Sequence, residues 1–276
     1  MIKIVPKFTG NEDELNIPII ANCISPDIFK GKDVEDIKAL KVFHGNKEKN
    51  LGDLFEVTST GEDEQQIVID GNVSIVRHIG EAMSSGKIVI NGNCGMHLGA
   101  QMGGGEVVVN GSAGDWLGAE MQAGFIKVKG NCGNLAGSAY RGGSAGMNGG
   151  IIIIEGNAGN EIGTRQRGGS LVVMGDAGDF TGVHMRGGTI VCFGKPGKRT
   201  GGNMTDGTII VMQTELEMLP TFKANSISNP VFVRAFLNQM QNYMEIPQNC
   251  IDGLYKKFSG DFSERPGGEI FVFEGG

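Results

Sequence analysis

Proline is sparse in this chain of 276 residues, with 8 against 47 glycines, and the glycines do not fall at every third position, so a collagen-like triple helix is excluded. No stretch approaches the ~18 consecutive apolar residues of a membrane-spanning helix, and the opening MIKIVPKFTGNEDEL has neither an uninterrupted apolar run nor a cleavage site. These absences read as a cytoplasmic protein. Basic residues are the minority, 24 against 31 acidic, and the net charge of -7 argues against nucleic acid or an anionic membrane as main partner. The five cysteines are odd in number and lack a C-x-x-C spacing, which fits free thiols in a reducing compartment. There is no G-x-x-x-x-G-K-[ST] phosphate loop and no dinucleotide-binding G-x-G-x-x-G between a strand and a helix. The four histidines, His44, His78, His97 and His184, fall in different regions or at different repeat positions, so no metal-binding row is expected.

What the chain does have is a repeated phrase. Gly92, Gly111, Gly130, Gly156, Gly175 and Gly194 anchor six copies, spaced 19, 19, 26, 19 and 19 residues apart. A fixed period of that size marks a solenoid, in which each unit buries its apolar face only by stacking on the next. Four and two residues before each anchor the side chains are apolar throughout, from Ile88 and Ile90 to Ile190 and Cys192, and the residue just before the anchor varies freely. That is the alternation of a half-buried strand. Identical strands stacked in register predict an all-β chain, a right-handed parallel β-helix, with a small α/β cap over residues 1–64, the repeats over 65–212, and a helical tail with a final strand over 213–276. Asp33 to Leu40 predicts a short helix in the cap, and PVFVRAFLNQMQNYM after Asn229-Pro230 predicts another in the tail.

The repeat register brings residues of one kind together. Cys94 and Cys132 occupy one position two units apart, about 9–10 Å at strand spacing and beyond disulfide reach. Met102, Met121, Tyr140, Gln166, Met185 and Met204 form one row, read as core packing. The next row holds Arg141, Arg167 and Arg186, with Arg165 and His184 two residues before the last two. Stacked like charges at ~5 Å need opposition, either from acids such as Glu161 and Asp179 or from an anionic partner subunit. Three residues before the anchors, Val89, Val108, Ile153, Val172 and Val191 form an outer aliphatic stripe that the C-terminal helix or another subunit must cover. The seven extra residues behind the 26-residue spacing are placed near 142–149, within GGSAGMNGG, as either a contact loop carrying Met147 or a tolerated insertion with no role. The candidate subunit-interface residues are therefore Arg141, Arg165, Arg167, Arg186, Val108, Val172 and Met147. No catalytic, cofactor-binding or metal-ligating residue is expected in this chain.

These repeats resemble the GXGXG domain, shared by the C-terminal part of the glutamate synthase large subunit and by the C-type subunit of formylmethanofuran dehydrogenase. The flanks carry the more specific likeness: IPIIANCISPDIFKGKDVEDIKALKVFHGNKEKNLGDLFEV and YKKFSGDFSERPGGEIFVF are similar to those of the dehydrogenase member. The resemblance implies a β-helical, non-catalytic scaffold in a cytoplasmic complex that reduces carbon dioxide with ferredoxin electrons and attaches the formyl group to methanofuran, as in methanogenesis. It further implies partner subunits that bind a molybdenum or tungsten pterin, iron-sulfur clusters including a polyferredoxin, and a dinuclear metal site in an amidohydrolase-like fold. The corresponding C-type subunit of the methylotrophic formyltransferase/hydrolase complex, a stand-alone GXGXG domain of an archaeal-type glutamate synthase, and an independent small-molecule enzyme stay open as alternatives.

Overall fold

A computed structural model describes residues 1–8, 17–61 and 65–275. The second half of MIKIVPKFTGNEDEL, and residue 64 at the expected cap boundary, lie outside the described residues. The structure is mostly β. In the N-terminal part β1 is Ile2–Pro6, β2 Ile19–Ile20, β3 Lys41–His44, β4 Lys47–Asn50, β5 Phe55–Ser59, β6 Gln66–Asp70 and β7 Val76–Arg77. Then come β8 (Lys87–Asn91), β9 (Gly103–Val109), β10 (Ala123–Val128), β11 (Ile151–Ile154), β12 (Ser170–Val173), β13 (Arg186–Cys192) and β14 (Asp206–Val211). The tail supplies β15 (Lys223–Ser228), β16 (Leu254–Gly260) and β17 (Gly268–Gly275). A short helix spans Val34–Lys38, where the Asp33 carboxylate accepts from the Asp36 backbone N–H at its N-terminus.

Thirteen strands form one sheet in the order β15-β16-β17-β14-β13-β12-β11-β10-β9-β8-β6-β1-β5. From β1 through β14 to β17 every pairing is parallel. One register line runs Ile67, Ile88, Val107, Ile126, Ile152, Leu171, Ile190, Ile209, Ile270. All of these side chains are fully buried, so the apolar alternation in the sequence becomes a continuous core. A second parallel line, Ala113 to Cys132 and Ala158 to Ala177 to Pro196, stacks the segment after each anchor. The anchoring glycines are required by close approach: a Cβ on Gly111 would lie 2.5 Å from the Gly92 carbonyl oxygen. All five cysteines are buried and free, and burial pushes the Cys94 thiol up to about 12.

The outer stripe divides into two. Its C-terminal part, Ile153, Val172, Val191 and Ile210, is buried under the tail, where the helix Val231–Met240 contributes Val233, Leu237 and Met240 from one face. Phe125 stacks on Tyr243 with ring centroids 5.4 Å apart and marks the edge of this cover. Val89 and Val108 lie beyond it and stay half-buried. Val172 is therefore removed from the candidate interface, because the chain covers it with its own tail.

The inserted residues sit earlier than the sequence suggested. The Met147 N–H donates to the Gly137 carbonyl at 2.8 Å, the bond made one repeat back by Met121 to Gly118 and one repeat on by Gln166 to Gly163. Met147 is thus the register partner of Met121 and Gln166, and it is fully buried in the core. Tyr140, expected in that row, is expelled to the surface side by the insertion. The same shift breaks the three-arginine ladder. Arg167 and Arg186 are true neighbours, but the position before them belongs to Asn148, whose amide donates to the Gln122 side chain at 3.3 Å. Arg141 lies in the insertion, and Met147 is core rather than contact loop.

Candidate functional site: an interrupted ring stack beside an arginine groove

Five residues after each anchor the backbone enters the left-handed region, at His97, Trp116, Leu135, Glu161, Phe180 and Arg199, and at His78 in the first repeat, with φ from 58° to 65°. For bulky residues this conformation is uncommon, and here it recurs because each repeat copies the turn of the one below. Side chains at this position project from the stack one above another at strand spacing, ~4.8 Å, so planar groups lie face to face.

The histidine pair overturns the expectation that the histidines share no position. The His78 and His97 rings stack with centroids 4.4 Å apart and planes 11° from parallel, and Trp116 follows 6.2 Å from His97. Tyr140 closes the group, 5.0 Å from Trp116, with its hydroxyl 3.0 Å from His97 Nδ1. Burial, with help from the neighbouring His78 and Arg77, lowers the His97 pKa to about 4. The Tyr140 hydroxyl is pushed up to about 12 by burial and by Glu81 and Glu120. Glu81 Oε1 lies 3.1 Å from His78 Nδ1, an ion-pair distance without hydrogen-bond alignment. Glu120 is held in place, accepting from Gln101 Nε2 at 3.0 Å and from the Tyr140 backbone N–H at 3.1 Å. The sequence carried a signal for this cluster, since His78 and His97 are one 19-residue period apart. It was obscured because β6 pairs with β8 at a 21-residue offset, from Asp70 to Asn91, so counting from Gly71 misses by two.

Next to the stack lies a groove of about 460 Å³ lined by Trp116, Tyr140 and Phe180 on its aromatic side and by Arg141, Arg165 and His184 on its basic side. Leu135 and Glu161 line it as well. Arg165 is fixed by donating to the Gly143 carbonyl at 3.2 Å, and Arg167 donates to the Ser144 carbonyl at 3.2 Å. The opposition expected from Glu161 and Asp179 is thus supplied instead by backbone oxygens of the insertion. Among the described residues Arg141 and Arg186 have no side-chain hydrogen bond or ion pair. Of the sequence-derived candidates, the structure brings Arg141 and Arg165 together in the groove, places Arg167 and Arg186 outside its lining, leaves Val108 on the uncovered wall, and buries Val172 and Met147. A larger cleft of about 820 Å³ lies under the tail; of its charged groups Lys127 and Glu155 are paired at 2.8 Å, and Glu245 lines it as well. Among the described residues no three His, Cys, Asp or Glu side chains are grouped to hold a metal ion. No helix among them is long and apolar enough to cross a membrane.

No family model matches the chain, while comparison with known proteins finds similar ones. The C-type subunit of a molybdenum-containing formylmethanofuran dehydrogenase from Methanothermobacter marburgensis is 44% identical over 93 residues, 34% of this chain and 22% of that protein. Its counterpart from a tungsten-containing formylmethanofuran dehydrogenase of Methanothermobacter wolfeii is 38% identical over 88 residues, 31% of this chain and 33% of that protein. The matched segment thus spans a third or less of these curated relatives. A chain in the crystal structure of the formyltransferase/hydrolase complex from Methylorubrum extorquens, solved with methylofuran, superposes over 98% of both chains with a TM-score of 0.89 and 30% identity. By that whole-chain likeness this chain belongs to the same family as the chain it matches in the formyltransferase/hydrolase complex, and about a third of it is similar to C-type subunits of formylmethanofuran dehydrogenases.

Proposed function

We propose that the chain is the non-catalytic scaffold subunit of a formylmethanofuran dehydrogenase, holding the catalytic subunits in register while they reduce carbon dioxide with ferredoxin electrons to formylmethanofuran. The observation that carries this reading is the unbroken register from Ile67 to Ile270, which builds a rigid stack with flat walls from residues that no reaction requires. The architecture we infer is a right-handed parallel β-helix, divided into a cap at 1–64, repeats at 65–212 and a tail at 213–276, with β1 and β17 lent to the body from either side. In this reading the molybdenum or tungsten pterin, the iron-sulfur clusters and the dinuclear metal site belong to the pterin-binding, polyferredoxin and amidohydrolase-like partners, and the complex works in the cytoplasm. Arg186 and Val108 serve as wall contacts.

A second reading, the corresponding scaffold of a formyltransferase/hydrolase complex, is favoured by the whole-chain match to that assembly. Anaerobic affinity purification from the native host, with mass spectrometry and metal analysis, separates them. Recovery of a pterin subunit with molybdenum or tungsten and iron-sulfur proteins supports the dehydrogenase. Recovery of an amidohydrolase-like subunit without pterin metal supports the second reading. Recovery of the chain alone, or with a flavin-containing glutamate synthase, sinks both.

A further inference from the structure

The ring stack stops where the groove begins. Along the left-handed positions the order is His78, His97, Trp116, then Leu135 and Glu161, then Phe180, whose ring carries the Arg199 guanidinium 5.4 Å from its centroid. Trp116 and Phe180 are three repeats apart, about 14 Å at strand spacing, and the two positions between them bear no ring. Leu135 offers an apolar side chain there. Arg141 and Arg165 stand over the same gap, Arg165 locked by the Gly143 carbonyl with donors to spare and Arg141 unpartnered among the described residues. Two arginines line an opening that also holds the rings of Trp116, Tyr140 and Phe180, against a single carboxylate, Glu161, in a chain whose net charge is -7. Charge complementarity therefore asks for an acidic occupant, and the missing rung asks for a ring. The Glu161 carboxylate lines the groove and makes no hydrogen bond or ion pair among the described residues, so it is free to accept N–H groups from an incoming backbone.

We propose that this groove receives an acidic segment of a partner subunit bearing one aromatic side chain, whose ring completes the stack between Trp116 and Phe180 while its carboxylates meet Arg141 and Arg165. The groove volume suits one buried aromatic side chain with its flanking backbone, and an aromatic anchor beside paired charges is the usual make-up of an interface centre. This inference rests on the scaffold reading and names the chemistry of one of its contacts.

Trp116 is the only tryptophan, so its fluorescence reports the site alone. Titration of the full chain with acetyl-Glu-Phe-Glu-Glu-amide to millimolar concentration should change Trp116 emission saturably. Arg141→Gln and Arg165→Gln should each weaken the midpoint about tenfold, replacement of the peptide's Phe by Ala should do the same, and Arg234→Gln, on the exposed side of the tail helix, should leave it unchanged. Equal response to acetyl-Lys-Phe-Lys-Lys-amide, no response to the acidic peptide, or equally tight binding of 3-phenylpropionate, which would mark a small-molecule site, overturns the proposal. In the purified complex, a benzoylphenylalanine photo-cross-linker at Val183 should join a partner peptide with an aromatic residue flanked by Asp or Glu. If wild-type chain recovers its partners but the cross-link reaches none of them, the groove proposal fails and the scaffold stands; if wild-type chain recovers no partner, the scaffold reading itself fails.

Discussion

His78 and His97 hold their rings 4.4 Å apart and nearly parallel, so a proton on the partly buried His97 would be poorly solvated and would sit against its neighbour. The pKa of His97 is lowered to about 4 from 6.5. The unfolded chain binds a proton on this histidine below about pH 6.5 and the folded chain does not until about pH 4, so its contribution is present above that window and is lost as pH falls through it. Thermal midpoints measured from pH 7 to pH 4.5 should decline, and His97→Phe, which keeps a ring in the stack, should flatten the decline. The lowered carboxylates Asp27, Asp70 and Asp261 act only below 3.8, outside this range. An identical decline in the variant would show that His97 does not set it.

Met147 separates core from contact loop. Its side chain is fully buried and would meet a Cβ placed on Gly169, so Met147→Ala should cost about 2–5 kcal/mol in urea unfolding of the isolated chain. An unchanged unfolding midpoint would return Met147 to the surface.

The two stripe valines should now behave differently. Val172→Asp places a carboxylate beneath the tail beside Val191 and Ile153, and should destabilise the chain by about 3 kcal/mol or more. Val108→Asp, half-exposed beyond the tail, should change the unfolding free energy by less than about 1 kcal/mol. Equal losses at both sites would mean that the tail does not cover Val172.

Glycine has two roles that substitution can tell apart. Gly111→Ala drives a methyl to 2.5 Å from the Gly92 carbonyl oxygen, where the packed backbone cannot yield, and should cost about 3 kcal/mol or more. At Gly142 the φ is +86° and no atom lies within 4 Å, so alanine there costs only the left-handed strain, about 1 kcal/mol. The order of the two denaturation midpoints decides the matter.

The stacked strands were legible because two periods reinforce each other, the alternation inside each strand and the 19-residue return. Asn229-Pro230 and the apolar face after it likewise announced the tail helix that the structure places over Ile153 and Val172. The site was less legible for physical reasons. In GGSAGMNGG no side chain but Met147 has a core preference, so the sequence cannot say where the insertion ends until the Met147 to Gly137 hydrogen bond fixes it. Arg141 then moves out of its row and Tyr140 joins the rings. Nor does sequence announce that His97, Trp116 and Phe180 accept a left-handed backbone, since each taken alone would avoid it.

At each limit of the large sheet the parallel run ends in an antiparallel pairing: β5 lies against β1 at one end, and at the other β16 lies against β17, with β15 antiparallel to β16 in turn. A further repeat arriving at one limit meets β5, which runs opposite to the repeats, and at the other it is held off from them by the reversed β16, so neither limit continues the parallel template of the stack. The molecule is a ruler cut to size, its parallel run closed by the antiparallel pairings of β5 and β16.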